Sequence, residues 1–291
     1  GVGYGVWGSR SRYPIPHTRL SLVMTTVPHI PPAVLRLVQE LVFGRWRAAG
    51  EELYREVAKL LEVGAGQEIL VAGCGDGTSS AWLAERTGAA VTGVDPDAER
   101  IEEADERARE LLESGTPLPL AFQQAALDDL PHETAVFDAV VAEPVLAAAH
   151  DPARAVAELA RVVKPMGAVV LLQLTWSSEL SAEARALLVE RLGMRPLLLV
   201  EWKQMLRDAG IVDLQVQDWT DEADEAADGE TPQLTWQQKV QLVGATWRRR
   251  GFREALDALS REEALLRELS RERAVGFQVI RGVKWPHARG A

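Results

Sequence analysis

An apolar run, Ile69-Leu70-Val71-Ala72, breaks into a turn with three glycines in five positions, Gly73-Cys74-Gly75-Asp76-Gly77, and the chain then reads as helix from Thr78. An unbroken aliphatic run of this length predicts a strand covered on both faces. Glycine reaches left-handed backbone without penalty and lets main chain approach a ligand closely. The helix that follows points its free N–H groups toward the same turn. A tight strand-to-helix connection with no ligand would look the same. What narrows the reading is a second strand, Ala90-Val91-Thr92-Gly93-Val94, ending at Asp95, 18 residues after Gly77. A carboxylate that closes the second strand beside a glycine turn can accept both hydroxyls of a ribose.

The surrounding pattern extends the alternation. A charged amphipathic helix is predicted over Ala98 to Leu112, strands over Pro119 to Gln124 and Phe137 to Ala142, a helix over Pro152 to Val163 with Asp151 as its N-cap, and a strand over Ala168 to Leu174. Strands alternating with helices of 10 to 15 residues imply right-handed βαβ units, a doubly wound α/β sheet, and ligands at the carboxyl ends of the strands. Upstream, Pro32 to Glu62 carries Val34, Leu35, Val38, Leu41 and Val42, then Leu53, Val57, Leu60 and Leu61, at helical spacing. Downstream, Ser181 to Arg191 and Val200 to Ala209 read as helix and Ile211 to Trp219 as strand. Asp221 to Glu230 holds six acidic residues and no basic one, the signature of a solvated loop. Residues 234 to 271 are helical and charged, and Ala274 to Trp285 returns to strand character.

The expected division is therefore a disordered extension over 1–23, N-terminal helices over 24–66, a core over 67–219, an acidic loop and helical cap over 220–273, and a last strand and tail over 274–291. The first 23 residues contain four glycines and two prolines and no apolar core of signal-peptide length, and Met24 opens a more ordinary start.

Composition removes other classes. With 32 Lys and Arg against 43 Asp and Glu in 291 residues, the formal charge of −11 opposes a phosphate backbone, so no nucleic-acid partner is expected. No apolar stretch approaches the ~20 residues of a membrane span. The single cysteine, Cys74, excludes an intrachain disulfide and a multi-cysteine metal site, so no metal is expected and the chain suits a reducing cytoplasm.

A dinucleotide fingerprint would place its third glycine at the sixth position of the turn, where this chain has Thr78; the glycine falls at the fifth, Gly77. With Gly73-Cys74-Gly75-Asp76-Gly77, Asp95, Asp129-Leu130-Pro131 before Phe137-Asp138-Ala139-Val140-Val141, and Val163-Lys164-Pro165-Met166-Gly167, the chain resembles the class I S-adenosylmethionine-dependent methyltransferases, in particular the small-molecule, type 11-like branch. The resemblance runs from about Leu53 to Trp219. It implies a Rossmann-like seven-stranded mixed sheet with the last strand antiparallel and extra N-terminal and C-terminal helices. It also implies S-adenosylmethionine as cofactor and a small-molecule methyl acceptor. It implies cofactor contacts at Gly73, Cys74, Gly75, Gly77 and Asp95; Pro96, Ala126 and Leu127 are expected beside them, Glu143 is read as a polar ligand to cofactor or substrate, and Arg45 as reaching the methionine carboxylate from the N-terminal helices. Four positions depart from the pattern: Val71 stands where the family has an acid near the methionine ammonium, Ala126 where it commonly has an Asp for the adenine amine, and Ala148-Ala149 where it has His-His, although His150 follows.

Methyl transfer is an in-line displacement that depends mainly on alignment and a dry pocket. On the acceptor side the catalytic candidates are Glu143, at the end of the fourth strand, and His150; each is also what a solvent-facing strand end or helix start looks like. The Asn-Pro-Pro-Tyr motif of DNA amino-methyltransferases is absent, and one cysteine cannot ligate arsenic. Six of nine tryptophans lie after Thr175: Trp176, Trp202, Trp219, Trp236, Trp247 and Trp285. They read as core packing of added helices, or as aromatic faces for a cationic acceptor. The helices over 234–271 are expected to cap the pocket or to form a homodimer surface. Two alternative functions stand beside the methyltransferase: a non-catalytic S-adenosylmethionine-binding protein and an NAD(P)-dependent oxidoreductase using Asp95 for the ribose.

Overall fold

Aliphatic runs too short for helices form the centre of the sheet. Ile69 to Ala72 in β1 (Glu68–Ala72) and Ala139 to Ala142 in β4 (Phe137–Ala142) are fully buried, so both faces of these strands are covered. The computed structural model describes residues 50–176, 195–219 and 275–286, together with 185, 189, 253 and 260 singly. In order, its elements are α1 (Gly50–Leu61), β1, α2 (Thr78–Thr87), β2 (Ala90–Asp95), α3 (Ala98–Glu113), β3 (Leu120–Gln124), β4, α4 (Pro152–Val162), β5 (Val163–Trp176), α5 (Leu199–Asp208), β6 (Ile211–Asp218) and β7 (Val275–Lys284), with a 3-10 turn at Leu146–Ala148 after β4.

The strands make one seven-stranded sheet in the order β3-β2-β1-β4-β5-β7-β6. The pairs among β1 to β5 are parallel, whereas β7 runs antiparallel to both β5 and β6. This is the mixed sheet expected from the sequence. Strand order reverses between β1 and β4, so right-handed crossovers put α2 and α3 on one face and α4 and α5 on the other. α1 joins the first group: Leu53, Val57 and Leu61, one per turn on one stripe, are buried, and the helix packs on α2 and β5.

Element ends agree with the sequence to within a residue or two, except at β5. The strand begins at Val163 rather than Ala168, because Lys164-Pro165-Met166-Gly167 form a bulge inside it. Phe137 pairs with Val163 and Ala139 with Ala168, so the register jumps across the turn. Met166 takes a left-handed φ of 66°. Lys164 Nζ lies 3.0 Å from Asp138 Oδ2, which also accepts the Glu68 backbone N–H at 2.9 Å, tying the bulge to β4 and β1.

Of the late tryptophans, Trp176 and Trp202 are buried in the core, Trp219 packs partly against it, and Trp285 is half exposed. Residues 185 and 189 are helical within the helix expected over 181–191, and 253 and 260 within that over 234–271. The expectations for residues 1–49, 221–230 and the rest of 234–271, including Arg45, Trp236 and Trp247, lie outside the described residues. No helix among the described residues is long and apolar enough to cross a membrane.

One packing feature was not foreseen. Phe122 of β3 pairs with Gly93 of β2, and its ring fills the space that two glycines leave open. A Cβ on Gly93 would lie 2.6 Å from Phe122 Cδ1 and 2.8 Å from Cys74 Cβ, and one on Gly77 would lie 2.8 Å from Phe122 Cζ. Gly93→Ala should therefore cost about 1–3 kcal/mol, the range for overpacking a filled core. Adding Phe122→Ala vacates part of that space, so the double variant should lose less than the sum of the two single losses by about 0.5 kcal/mol or more. Urea unfolding of the three variants measures this, and strictly additive losses would contradict the wedge.

Candidate active site

The site is built where β1, β2 and β4 end side by side. Beyond β1 the chain stays on β2 for one more step, as Gly73 N and Cys74 N both donate to Val94 O at 2.7 and 3.0 Å. It then turns through Gly73, Gly75 and Gly77, with φ of 79°, 53° and 75°. The three glycines are needed for different reasons. A Cβ on Gly73 would overlap Val145, and one on Gly77 would meet Phe122 and Ala104. At Gly75 a Cβ would meet no protein atom within 4 Å, so this position has open space in front of it. Gly75 is the place where the loop can take a ligand against its main chain.

Asp95 closes β2 beside that opening. Its Oδ2 accepts from Gly75 N at 3.1 Å and its Oδ1 from Asp97 N at 2.9 Å. The residue is only 6% exposed, and loss of hydration pushes its carboxyl pKa above the ordinary value even though both backbone donors oppose the shift. The next residues are stitched to β3: Ala125 N donates to Asp95 O at 3.0 Å and Gln124 Nε2 to Pro96 O at 3.1 Å. Ala126 follows, exposed, and Leu127, buried.

Asp76 is engaged within the protein. Arg107 of α3 donates to its carbonyl through Nε at 2.9 Å and to its carboxylate through Nη2 at 3.0 Å, while Thr78 N donates to Oδ1 at 3.2 Å. Cys74 contributes only main chain. Its side chain lies in the core, and burial, reinforced by the charges of Asp95 and Glu143, pushes its thiol pKa far up, so it is no nucleophile.

At the end of β4, Glu143 N continues the ladder to Ala72 O at 2.9 Å. The Glu143 carboxylate accepts from Tyr54 Oη of α1 at 2.6 Å, and its carbonyl accepts from Gln173 Nε2 of β5 at 3.1 Å. Tyr54 in turn packs on Trp82 of α2, ring centroids 6.1 Å apart. After the 3-10 turn, His150 is exposed on the bend before α4, and Asp151 caps that helix as expected, accepting from Arg154 N at 3.0 Å.

The structure thus gathers Gly73, Cys74, Gly75, Gly77, Asp95, Pro96, Ala126, Leu127 and Glu143 along one edge. Val71 is fully buried and brings no charge there. Among the described residues no group of three or more His, Cys, Asp and Glu is arranged to hold a metal ion. Sequence reasoning missed Tyr54, Arg107 and Gln173. Gln173 carried a signal, a polar residue inside the aliphatic run of β5; Tyr54 was hidden beside the apolar stripe of α1, and Arg107 among the other charges of α3.

A family model described as a methyltransferase domain matches residues 70–171. A methyltransferase of Streptomyces halstedii, GfsG, is 32% identical over 123 residues, 42% of this chain and 43% of that protein. The ubiquinone biosynthesis O-methyltransferase of Paracidovorax citrulli is 30% identical over 178 residues, 58% of this chain and 70% of the relative. The chain thus spans less than half of the Streptomyces relative. Among solved structures, phosphoethanolamine N-methyltransferase 2 of Haemonchus contortus in complex with S-adenosyl-L-methionine shares the fold, with a TM-score of 0.65 at 18% identity over 85% of this chain and 56% of that one.

The desolvated Asp95 makes a testable statement about stability. Because folding raises its pKa, the native state gains from protonating it, a gain complete below the ordinary value of 3.8 and lost as pH rises through the raised pKa. Relative to Asp95→Asn, which does not titrate, the unliganded wild type should lose stability as pH is raised from about 4 to about 7. Urea unfolding across that range measures the difference. A difference that is flat, or grows in favour of the wild type, would contradict the desolvation.

Proposed function

The chain belongs to the class I S-adenosylmethionine-dependent methyltransferases, and from that premise we propose that it transfers the methyl group of S-adenosylmethionine to a small-molecule acceptor. The observation that carries this reading is the juxtaposition of Gly75, open on its ligand side, with the buried carboxylate of Asp95. These residues fit the cofactor. Asp95 is an acceptor for ribose hydroxyls, the Gly73 to Gly77 main chain admits close approach, and Pro96, Ala126 and Leu127 border the nucleoside. Arg45 is proposed for the methionine carboxylate. When bound, the cofactor supplies a methyl group on a sulfonium, open to attack by a nucleophile in line with the leaving sulfur.

The chain's own part is to bind, orient and exclude water. The Paracidovorax relative is named as an O-methyltransferase, which favours a hydroxyl acceptor here, and such an acceptor must lose a proton as its oxygen attacks. Glu143 and His150 are the candidates for that proton. His150 is the more accessible, exposed on the bend that precedes α4. Residues 234–271 are proposed as a cap over the acceptor or as a dimer surface. The formal charge of −11 supports a reading without nucleic acid, and the single buried cysteine supports a reducing, cytoplasmic setting.

Two substitutions test the cofactor assignment. Asp95→Ala should weaken S-adenosylhomocysteine binding by roughly 10-fold or more, since hydrogen bonds to a charged acceptor contribute about 1.5–3 kcal/mol each. The Cβ that Gly75→Val adds meets no protein atom within 4 Å, so the substitution should cost affinity through the ligand's space, along with about 1–3 kcal/mol of stability from its strained left-handed φ. Calorimetric titration decides, and unchanged affinity in Asp95→Ala would overturn the assignment.

A further inference from the structure

Beside the nucleoside half of the site stands a second carboxylate, Glu143, whose placement is held by contacts from four directions. Its backbone N–H extends the β1–β4 ladder to Ala72 O, and its carbonyl is fixed by Gln173 from β5, at 2.9 and 3.1 Å. Its side chain begins against the glycine loop, since a Cβ on Gly73 would lie 3.4 Å from Glu143 Cβ. Its carboxylate receives the Tyr54 hydroxyl at 2.6 Å, a charge-assisted bond from a helix 89 residues earlier in the chain. Gln173 itself is fully buried in β5, so water does not compete for the amide that holds the Glu143 main chain.

The sheet order places this carboxylate relative to the ligand. With the ribose on Asp95 at the end of β2, a molecule that crosses the end of β1 arrives next at the end of β4, because β1 lies between the two and neighbouring strands are about 4.8 Å apart. The part of S-adenosylmethionine beyond the ribose carries two positive charges, a sulfonium and an ammonium, and its terminal carboxylate offsets one of them. The residues it crosses, Val71, Ala72 and Cys74, are buried and bring no charge to balance them. Burying an unbalanced cation is costly, and a fixed carboxylate at the far end removes that cost.

We infer that Glu143, oriented by Tyr54, is the counter-charge for the amino-acid end of the cofactor, its carboxylate accepting from the ammonium. Tyr54 is a positioning residue: it holds the carboxylate against the glycine loop and does not itself touch the ligand. This inference rests on the cofactor assignment above, and it leaves proton transfer from the acceptor to another group.

The test compares S-adenosylhomocysteine with its desamino analogue, which differs only in lacking the ammonium, by calorimetry on the full chain. The wild type should bind S-adenosylhomocysteine at least about tenfold more tightly than the analogue. In Glu143→Gln, which keeps the shape and removes the charge, that preference should narrow to within about threefold while affinity for the analogue holds. Tyr54→Phe should narrow it part of the way, with the analogue again unaffected. Retention of the full preference in Glu143→Gln would overturn the inference, and so would an equal loss for both ligands, which would mean that the substitution damages the loop. Failure of the wild type to bind either ligand would instead overturn the cofactor assignment on which the inference depends.

Discussion

The site depends on a carboxylate kept almost out of water. Asp95 holds the glycine loop through Gly75 N and the start of the β2–α3 turn through Asp97 N. These two bonds fix where the loop stands relative to the strand ends. The same oxygens are the acceptors proposed for the ribose, so the unliganded protein uses the loop's own N–H groups to partner a charge that burial penalises. A ligand that adds hydroxyl donors relieves that penalty further, which gives binding a share of its driving force before any contact with the base or the methionine.

Around this carboxylate, packing does the positioning. Phe122 occupies the volume left by Gly77 and Gly93, and Arg107 clamps Asp76 from α3, so the turn is held from behind. The open side is left at Gly75. On the other flank, Tyr54 brings α1 into the site, with its hydroxyl on Glu143 and its ring against Trp82. The helix before the first strand is thus part of the candidate site.

The sequence made the sheet legible because its signals were local. Aliphatic runs at β1 and β4, the glycine turn, Asp95 and the Asp151 cap each depend on a few adjacent residues, and they fell within a residue or two of their places. The bulge in β5 was less visible, because pairing with β4 before and after the turn depends on Asp138 and Glu68, far away in the chain. Tyr54 and Arg107 were illegible for a related reason. Each acts across 89 and 31 residues respectively, and nothing in its own segment sets it apart. Gln173 could have been found, since a buried amide in an apolar strand needs a partner.

The edge from Asp95 across Gly75 to Glu143 is the proposed seat of S-adenosylmethionine. A crystal structure with S-adenosylhomocysteine bound tests it most directly. Both ribose hydroxyls should lie on the Asp95 carboxylate, with the thioether chain passing the Gly73 to Gly77 main chain and the ammonium at Glu143. A nucleoside bound away from Asp95, or an amino-acid end turned away from β4, would contradict it.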